Sequence, residues 1–386
     1  MKPSTAYISN LTPLRGFAAL IVVIFHFEVL IGKFVNENNS MFINKGYMMV
    51  DLFFVMSGFI IFHVYSSNFR NSITGQSFRK FLIARFARIY PLHFIMLLIC
   101  VLLIFVLGAN PILNPAAIPT HIFLLQSFGI HKIFTLNVPS WSISAEWWAY
   151  MVFPVIIFCL YKRKWLTVAF CIGFVIAAYV SIMFLLPRTV PFNPAIRMPH
   201  NVDTTYDYGF LRGLAGFTTG LLLYILYQAY SIKNIFQKDI VSFICFIAVI
   251  AAMHFGINDG LYIPLYALLI LALACNNGFV TKMCNNRILQ YFGNISYSIY
   301  MTQIIILFFV PPIVGAVGIT ISQNADKTFV FSSGLLYCLA ILALSVAFSS
   351  LTYYTIEVPC RKWINKKWAH RKYIVYDTDE RLSKAS

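Results

Sequence analysis

Arg15 and His26 stand in one apolar stretch, LRGFAALIVVIFHF, from Leu14 to Phe27. On a helix they differ by about 20° in azimuth and about 16 Å in height, so they share one stripe. Arg15 then lies at the inner edge of an apolar layer and His26 near its middle. An arginine at the centre of such a layer costs about 2.5–3.5 kcal/mol on insertion scales, so it must be compensated or used. Histidine titrates near neutrality and can take a proton from a hydroxyl, which makes His26 the natural general base. The plainer reading is a snorkelling arginine and a hydrogen-bonded core histidine. Glu28 faces away from the stripe. Asp51, in GYMMVDLFFVMSGFII, falls at the outer part of the next apolar run, with Ser57 and Gly58 further in. It could orient a histidine, bind a sugar hydroxyl, or be only an interfacial carboxylate at a helix start. Gly58 would let a neighbouring helix approach closely. His63 reads as structural.

Arg85 and Arg88, in RKFLIARFARIYPLH, sit at i and i+3 on one helix face at the inner surface. Two guanidiniums so placed can clamp phosphates, or form an ordinary basic cluster. In VPSWSISAEWWAY, Ser142 or Ser144 could cap the following helix and Glu146 would fall in its first turn. Trp141, Trp147, Trp148 and Tyr150 would form an interface belt or a stacking surface for a sugar. Arg212, in FLRGLAGFTTGLLLY, could pair with Asp203 or Asp207 or face a polar cavity. GNISYSIYMTQ supplies Ser296, Tyr297, Tyr300 and Gln303. YYTIEVPCRKW, with Glu357, Pro359 and Arg361, reads as a helix stop followed by a basic anchor.

The elements that position these groups follow from composition. The chain has 386 residues, of which 60% are hydrophobic and 11% charged. Its mean hydropathy is +0.76. A soluble domain is nearer a quarter charged, so the expected class is all-α, a polytopic membrane protein. Ten spans are expected, at about 13–31, 47–65, 89–108, 146–161, 165–186, 209–228, 240–256, 260–276, 295–317 and 333–353. With the N-terminus inside, the inner joints and tail carry 21 Lys and Arg and the outer joints 6, which is the positive-inside pattern with both ends cytoplasmic. The net charge of +16 is thus explained without nucleic acid. Most of the 8 cysteines fall in apolar runs, with no C-x-x-C or His cluster, so neither metal nor disulfide framework is expected. The first apolar run lacks an A-x-A-like cleavage site and reads as a retained span. Residues 109–145 and 187–208 are long, Pro-rich outer joints, read as an acceptor mouth or as irregular loops. The division expected is one transmembrane domain, 1–356, and a basic cytoplasmic tail, 357–386.

LRGFAALIVVIFH, VDLFFVMSGF, RFARIYP, WSISAE, SYSIY and IEVP occur in this order along nearly the whole chain. Together they resemble the acyltransferase-3 family of integral membrane acyltransferases. The resemblance implies that His26 and Arg15 are essential, that Arg85 and Arg88 handle an acyl-CoA donor from the cytoplasm, and that Glu146 matters for activity. It implies a bacterial inner-membrane O-acyltransferase with no bound cofactor, acetyl-CoA being the donor co-substrate. The acceptor would be a sugar hydroxyl of a surface polysaccharide or lipid-linked glycan, such as O-antigen or an exopolysaccharide unit. His26 would act as general base or carry the acyl group. Arg15 would stabilise developing negative charge or a CoA phosphate. Glu146, with Asp51, would orient His26 or the acceptor. Trp141, Ser142, Arg212, Tyr297, Tyr300 and Gln303 would contact the acceptor, and membrane lipids would surround the whole. Without a fused outer esterase-like domain, the membrane part would both take and deliver the acyl group. Many family members carry histidine where this chain has Gln303, which can hydrogen-bond but cannot act as a base. The favoured reading is that this histidine is not needed for the chemistry; a changed substrate preference or an inactive chain are the others. A transporter or flippase of a lipid-linked or small-molecule substrate, and a non-catalytic relative, are the competing classes.

Overall fold

The computed structural model describes residues 7–186, 189–190, 193–197, 201–316 and 329–369. Lys2, Arg188, Lys327, Arg371, Lys372, Arg381, Lys384 and the prolines Pro187, Pro191 and Pro199 lie outside the described residues. Each expected span appears as a helix: α1 Leu11–Leu30, α2 Met49–Tyr65, α3 Gly75–Leu107, α4 Trp141–Lys162, α5 Lys164–Val180, α6 Gly209–Tyr227, α7 Asp239–Phe255, α8 Tyr262–Cys275, α9 Arg287–Ala316 and α10 Phe331–Thr352. Among the described residues, 8 helical segments are long and apolar enough to cross a membrane. The two that fall short are α7, with 17 residues, and α8, with 14. Outward-facing side chains such as Leu102, Phe105 and Phe170 are 60, 82 and 73% exposed, an apolar coat suited to lipid. Among the described residues the fold is helical apart from an antiparallel pair, β1 Thr189–Val190 and β2 Asn193–Arg197, inside the second long joint.

Four boundaries differ from the sequence expectation, each for a local reason. Helix α3 starts fourteen residues before the expected span, capped by the Thr74 side chain accepting from Ser77 N–H. Pro91 and the basic residues before it concealed this continuity. The helix carries Arg85 and Arg88, as read, and both line a cavity together with residues of α2. Helix α4 starts at Trp141, five residues early. Ser142 and Ser144 are therefore inside it, not caps, and Glu146 lies beyond its first turn. Helix α9 starts eight residues early, at Arg287. After α10 the chain does not stop at Glu357. A π-helical turn, Tyr353–Glu357, leads directly into the short helix Val358–Ile364, so the expected 356/357 division falls within continuous helix. The wide turn accommodates Pro359, whose ring would clash with the preceding turn of a regular helix.

Small residues set two close helix crossings. A Cβ on Gly16 of α1 would stand 2.7 Å from the Phe292 carbonyl carbon, and one on Gly293 of α9 would collide with the Thr12 carbonyl. Gly58 of α2 and Gly220 of α6 meet in the same way, backbone to backbone. The close approach read from Gly58 is therefore present. Gly58→Val drives a branched side chain into the Phe217 carbonyl, which cannot swing aside as a side chain would. It is expected to cost about 3 kcal/mol or more. Heating detergent-solubilised protein before size exclusion reads this as a lower temperature of monodisperse-peak loss.

Candidate active site

A cavity opens between α1, α2, α3, α4 and α9, enclosing about 840 Å³ of empty space, its open mouth included. Arg15, Arg85 and Arg88 line it, together with Glu146, Ser57, Ser142, Tyr150, Tyr297 and Tyr300. Three guanidiniums face one carboxylate. Glu146 is held by hydroxyls: Ser57 Oγ and Tyr150 Oη each donate to its Oε1 at 2.5 Å. Arg85 donates to Tyr65 Oη at 2.8 Å and stacks over the Tyr65 ring at 4.9 Å. Arg15 has no acidic or hydrogen-bonding partner among the described residues, and it lies within electrostatic reach of Arg88. Arg88 is not available in the same way, because it is ion-paired with Glu357. Glu357 is 1% exposed and also accepts from Ser298 Oγ at 2.9 Å. Arg85 and Arg88 thus share the cavity with Arg15, and Arg88 also ties α3 to the end of α10. The cavity carries net positive charge in a low-dielectric setting, where a multiply anionic ligand gains most.

Asp51, Arg212 and Trp141 form a separate cluster outside this lining. Arg212 is fully buried. Its Nη2 donates to Asp51 Oδ2 at 2.6 Å, its Nη1 to Asp203 Oδ1 and the Thr204 carbonyl at 3.1 Å each. Its guanidinium lies 5.3 Å from the Trp141 ring centroid. The pairing with Asp203 read from the sequence is present, and Asp51 adds a second carboxylate from another helix. Such a network ties α2 to α6 and to the loop before α6. Among the described residues neither Asp51 nor Glu146 hydrogen-bonds His26, and the carboxylate that acts on that ring is Asp203. Asp51 and Glu146 are spent elsewhere.

His26 lies outside the cavity lining, half-buried, with Gln303 and Asp203 near its ring. Its Nδ1 lies 3.0 Å from the Val22 carbonyl, which can only accept. That bond fixes the proton on Nδ1 and leaves Nε2 as the basic nitrogen of the neutral ring. Glu28 faces away, as read: its Oε1 accepts from the Phe34 and Val35 amides at 3.3 and 3.1 Å. From α4, Ser142 Oγ donates to Tyr300 Oη of α9 at 2.8 Å, and Tyr297 Oη of α9 donates to the Ile89 carbonyl. Gln303 follows one turn beyond Tyr300, fully buried, its Nε2 donating to the Tyr300 carbonyl at 3.0 Å. It neighbours the His26 ring.

The comparisons with known proteins bear on this arrangement. A family model described as an acyltransferase domain, acyltransferase-3, matches residues 8–354. The chain belongs to the acyltransferase-3 family. The acyltransferase MdmB of Streptomyces mycarofaciens is 30% identical over 194 residues, 48% of this chain and 48% of that protein. The O-acetyltransferase OatA of Staphylococcus aureus is 25% identical over 391 residues, 93% of this chain and 58% of that protein. The chain therefore spans about half the length of these curated relatives. No solved structure matches it significantly.

In this acyltransferase-3 chain the quoted motif segments are brought together in space. RFARIYP meets IEVP and SYSIY through Arg88, Glu357 and Ser298. VDLFFVMSGF meets WSISAE through Ser57 and Glu146. LRGFAALIVVIFH packs along the SYSIY helix through Gly16 and Gly293. Sequence reasoning missed Glu357 as a site residue and left Ser57 and Tyr150 without partners. The signal for Glu357 was an acid retained at the end of an apolar run, which a helix stop does not require. Of the candidates named from sequence, Arg15, Arg85, Arg88, Glu146, Ser142, Tyr297 and Tyr300 share the cavity, whereas His26, Asp51, Trp141, Arg212 and Gln303 do not line it.

Proposed function

We propose that this protein is a bacterial inner-membrane O-acetyltransferase. It takes the acetyl group of cytoplasmic acetyl-CoA and gives it to a sugar hydroxyl of a surface polysaccharide or lipid-linked glycan. The observation that carries this reading is the arginine-lined cavity in a chain of the acyltransferase-3 family. Arg15 and Arg85 suit the phosphates of a CoA donor, and the O-acetyltransferase named among the relatives supports an acetyl group and an oxygen acceptor. The ten apolar helices and the basic bias of alternate joints support ten crossings with both ends in the cytoplasm.

In this mechanism the acceptor hydroxyl gives its proton to His26 Nε2 as its oxygen attacks the thioester carbonyl. The tetrahedral intermediate then expels the CoA thiolate, which receives the proton from His26. Arg15, about 16 Å below His26 on the same stripe, neutralises phosphate at the donor end. The test is a calorimetric titration of acetyl-CoA into the purified protein in nanodiscs. Saturable one-site binding is expected. Absence of binding across the solubility range of acetyl-CoA would remove the donor assignment.

A further inference from the structure

The α1–α9 pair brings Gln303 level with His26, and the Gln303 side chain lies within hydrogen-bonding reach of the His26 ring. The two helices run the same way, with the Gln290 side chain donating to the Ser9 carbonyl at 2.9 Å near their starts. They cross at Gly16 and Gly293. His26 lies ten residues beyond the first glycine and Gln303 ten residues beyond the second, so the two are level. The Gln303 amide is oriented by the Tyr300 carbonyl, which requires Nε2 as the donor. Its Oε1 is buried and accepts from no other group among the described residues, with the His26 ring within reach. Beside it stands a ring whose Nδ1 is already given to the Val22 carbonyl.

An acceptor with no proton of its own has nothing to bond in a neutral ring with a bare Nε2. It gains a charge-assisted hydrogen bond as soon as that nitrogen is protonated. An interaction made only in the protonated state accelerates the step that creates it. We propose that Gln303 is a positioning residue for His26, its Oε1 receiving the Nε2–H that the ring acquires when it takes the acceptor's proton. This rests on the reading of His26 as the base.

The other groups around the ring do not supply this. Asp203, in the loop before α6, is the carboxylate close enough to act on it, and it also pairs with Arg212. On α2, Asp51 is held by Arg212; on α1, Glu28 is held by the Phe34 and Val35 amides and Arg15 is three turns away. In the helix Asn44–Met48, Lys45 and Tyr47 both bond Asp259. On α9, Tyr300 is shared with Ser142. On α10, Tyr337 packs against Phe27. On α8, Tyr262 donates to the Ala252 carbonyl, and Tyr266 packs beside Tyr262.

The test compares wild type with Gln303→Met, Gln303→Glu and His26→Ala, following CoA release from acetyl-CoA in nanodiscs containing host lipid extract. Gln303→Met keeps size and loses the acceptor; its kcat is expected to fall about 10- to 100-fold with KM for acetyl-CoA unchanged. Because the protonated ring loses its partner, the acid limb of kcat/KM moves to lower pH. Gln303→Glu restores an acceptor with added negative charge, and the limb moves to higher pH. A role in packing alone would lower the yield of folded protein without moving the limb. Limbs unmoved in both Gln303 variants, with His26→Ala inactive, would overturn this proposal and leave the base intact. Full turnover in His26→Ala would overturn the base reading itself.

Discussion

His26→Ala is expected to lower acetyl-CoA turnover by about 10²- to 10⁴-fold, the range a positioned general base contributes. Acetyl-CoA binding should be unchanged, because His26 does not line the arginine cavity. The split follows from the geometry. Nδ1 is locked to the Val22 carbonyl one turn below, so the ring presents Nε2 in a fixed direction and in one tautomer. Removing it leaves the donor phosphates their arginines but the acceptor hydroxyl no base. Equal losses in binding and turnover would instead place His26 in the donor site. Single-turnover assays with radiolabelled acetyl-CoA separate a base from a carrier, since only a carrier leaves label on the chain.

Arg85→Ala is expected to weaken acetyl-CoA binding about 10- to 100-fold, the worth of a hydrogen bond to a charged group. Arg15→Ala should do the same, and the two together should bring binding below detection. Arg88→Ala has a different expected result. Arg88 is ion-paired with Glu357, which is 1% exposed, and its removal leaves that buried carboxylate only the longer 3.8 Å pair with Arg361. The cost is about 3–5 kcal/mol, so the variant loses folded protein before it reveals any binding defect. Removing both charges, as Arg88→Met with Glu357→Leu, should recover much of that stability. Titration calorimetry for the first pair and thermal denaturation for the second distinguish a ligand-binding arginine from a structural one.

Much of this organisation is local and could be read from the chain. Each hydropathy run coincides with a helix among the described residues, eight helical segments being long and apolar enough to cross a membrane. The close approach at Gly58 followed from a small residue in a span. What could not be read depends on contacts between distant segments. Arg88 and Glu357 are 269 residues apart, and nothing near either one announces the other. Arg85 and Arg88 have the same type, helix and face, yet Arg85 bonds the Tyr65 hydroxyl while Arg88 is ion-paired with Glu357. Glu146 looked like a first-turn anion because its helix was started too late. With the start at Trp141, its partners are Ser57 and Tyr150 hydroxyls, not the helix dipole. Asp51 and Arg212 looked like separate catalytic and acceptor-binding candidates, but satisfy each other across 161 residues. Gln303 was legible only as a departure from a motif. Its place beside His26 required the register of two helices fixed by Gly16 and Gly293.

The central claim is that this chain moves an acetyl group from acetyl-CoA to a glycan hydroxyl, with His26 as the essential side chain. The most direct measurement incubates purified protein in nanodiscs with radiolabelled acetyl-CoA and a glycolipid extract of its host. It then follows label into the alkali-labile ester fraction, for wild type beside His26→Ala. The account predicts ester label that accumulates with wild type and falls to background with His26→Ala. Acetyl-CoA left intact by wild type, or ester formation undiminished in His26→Ala, would contradict it.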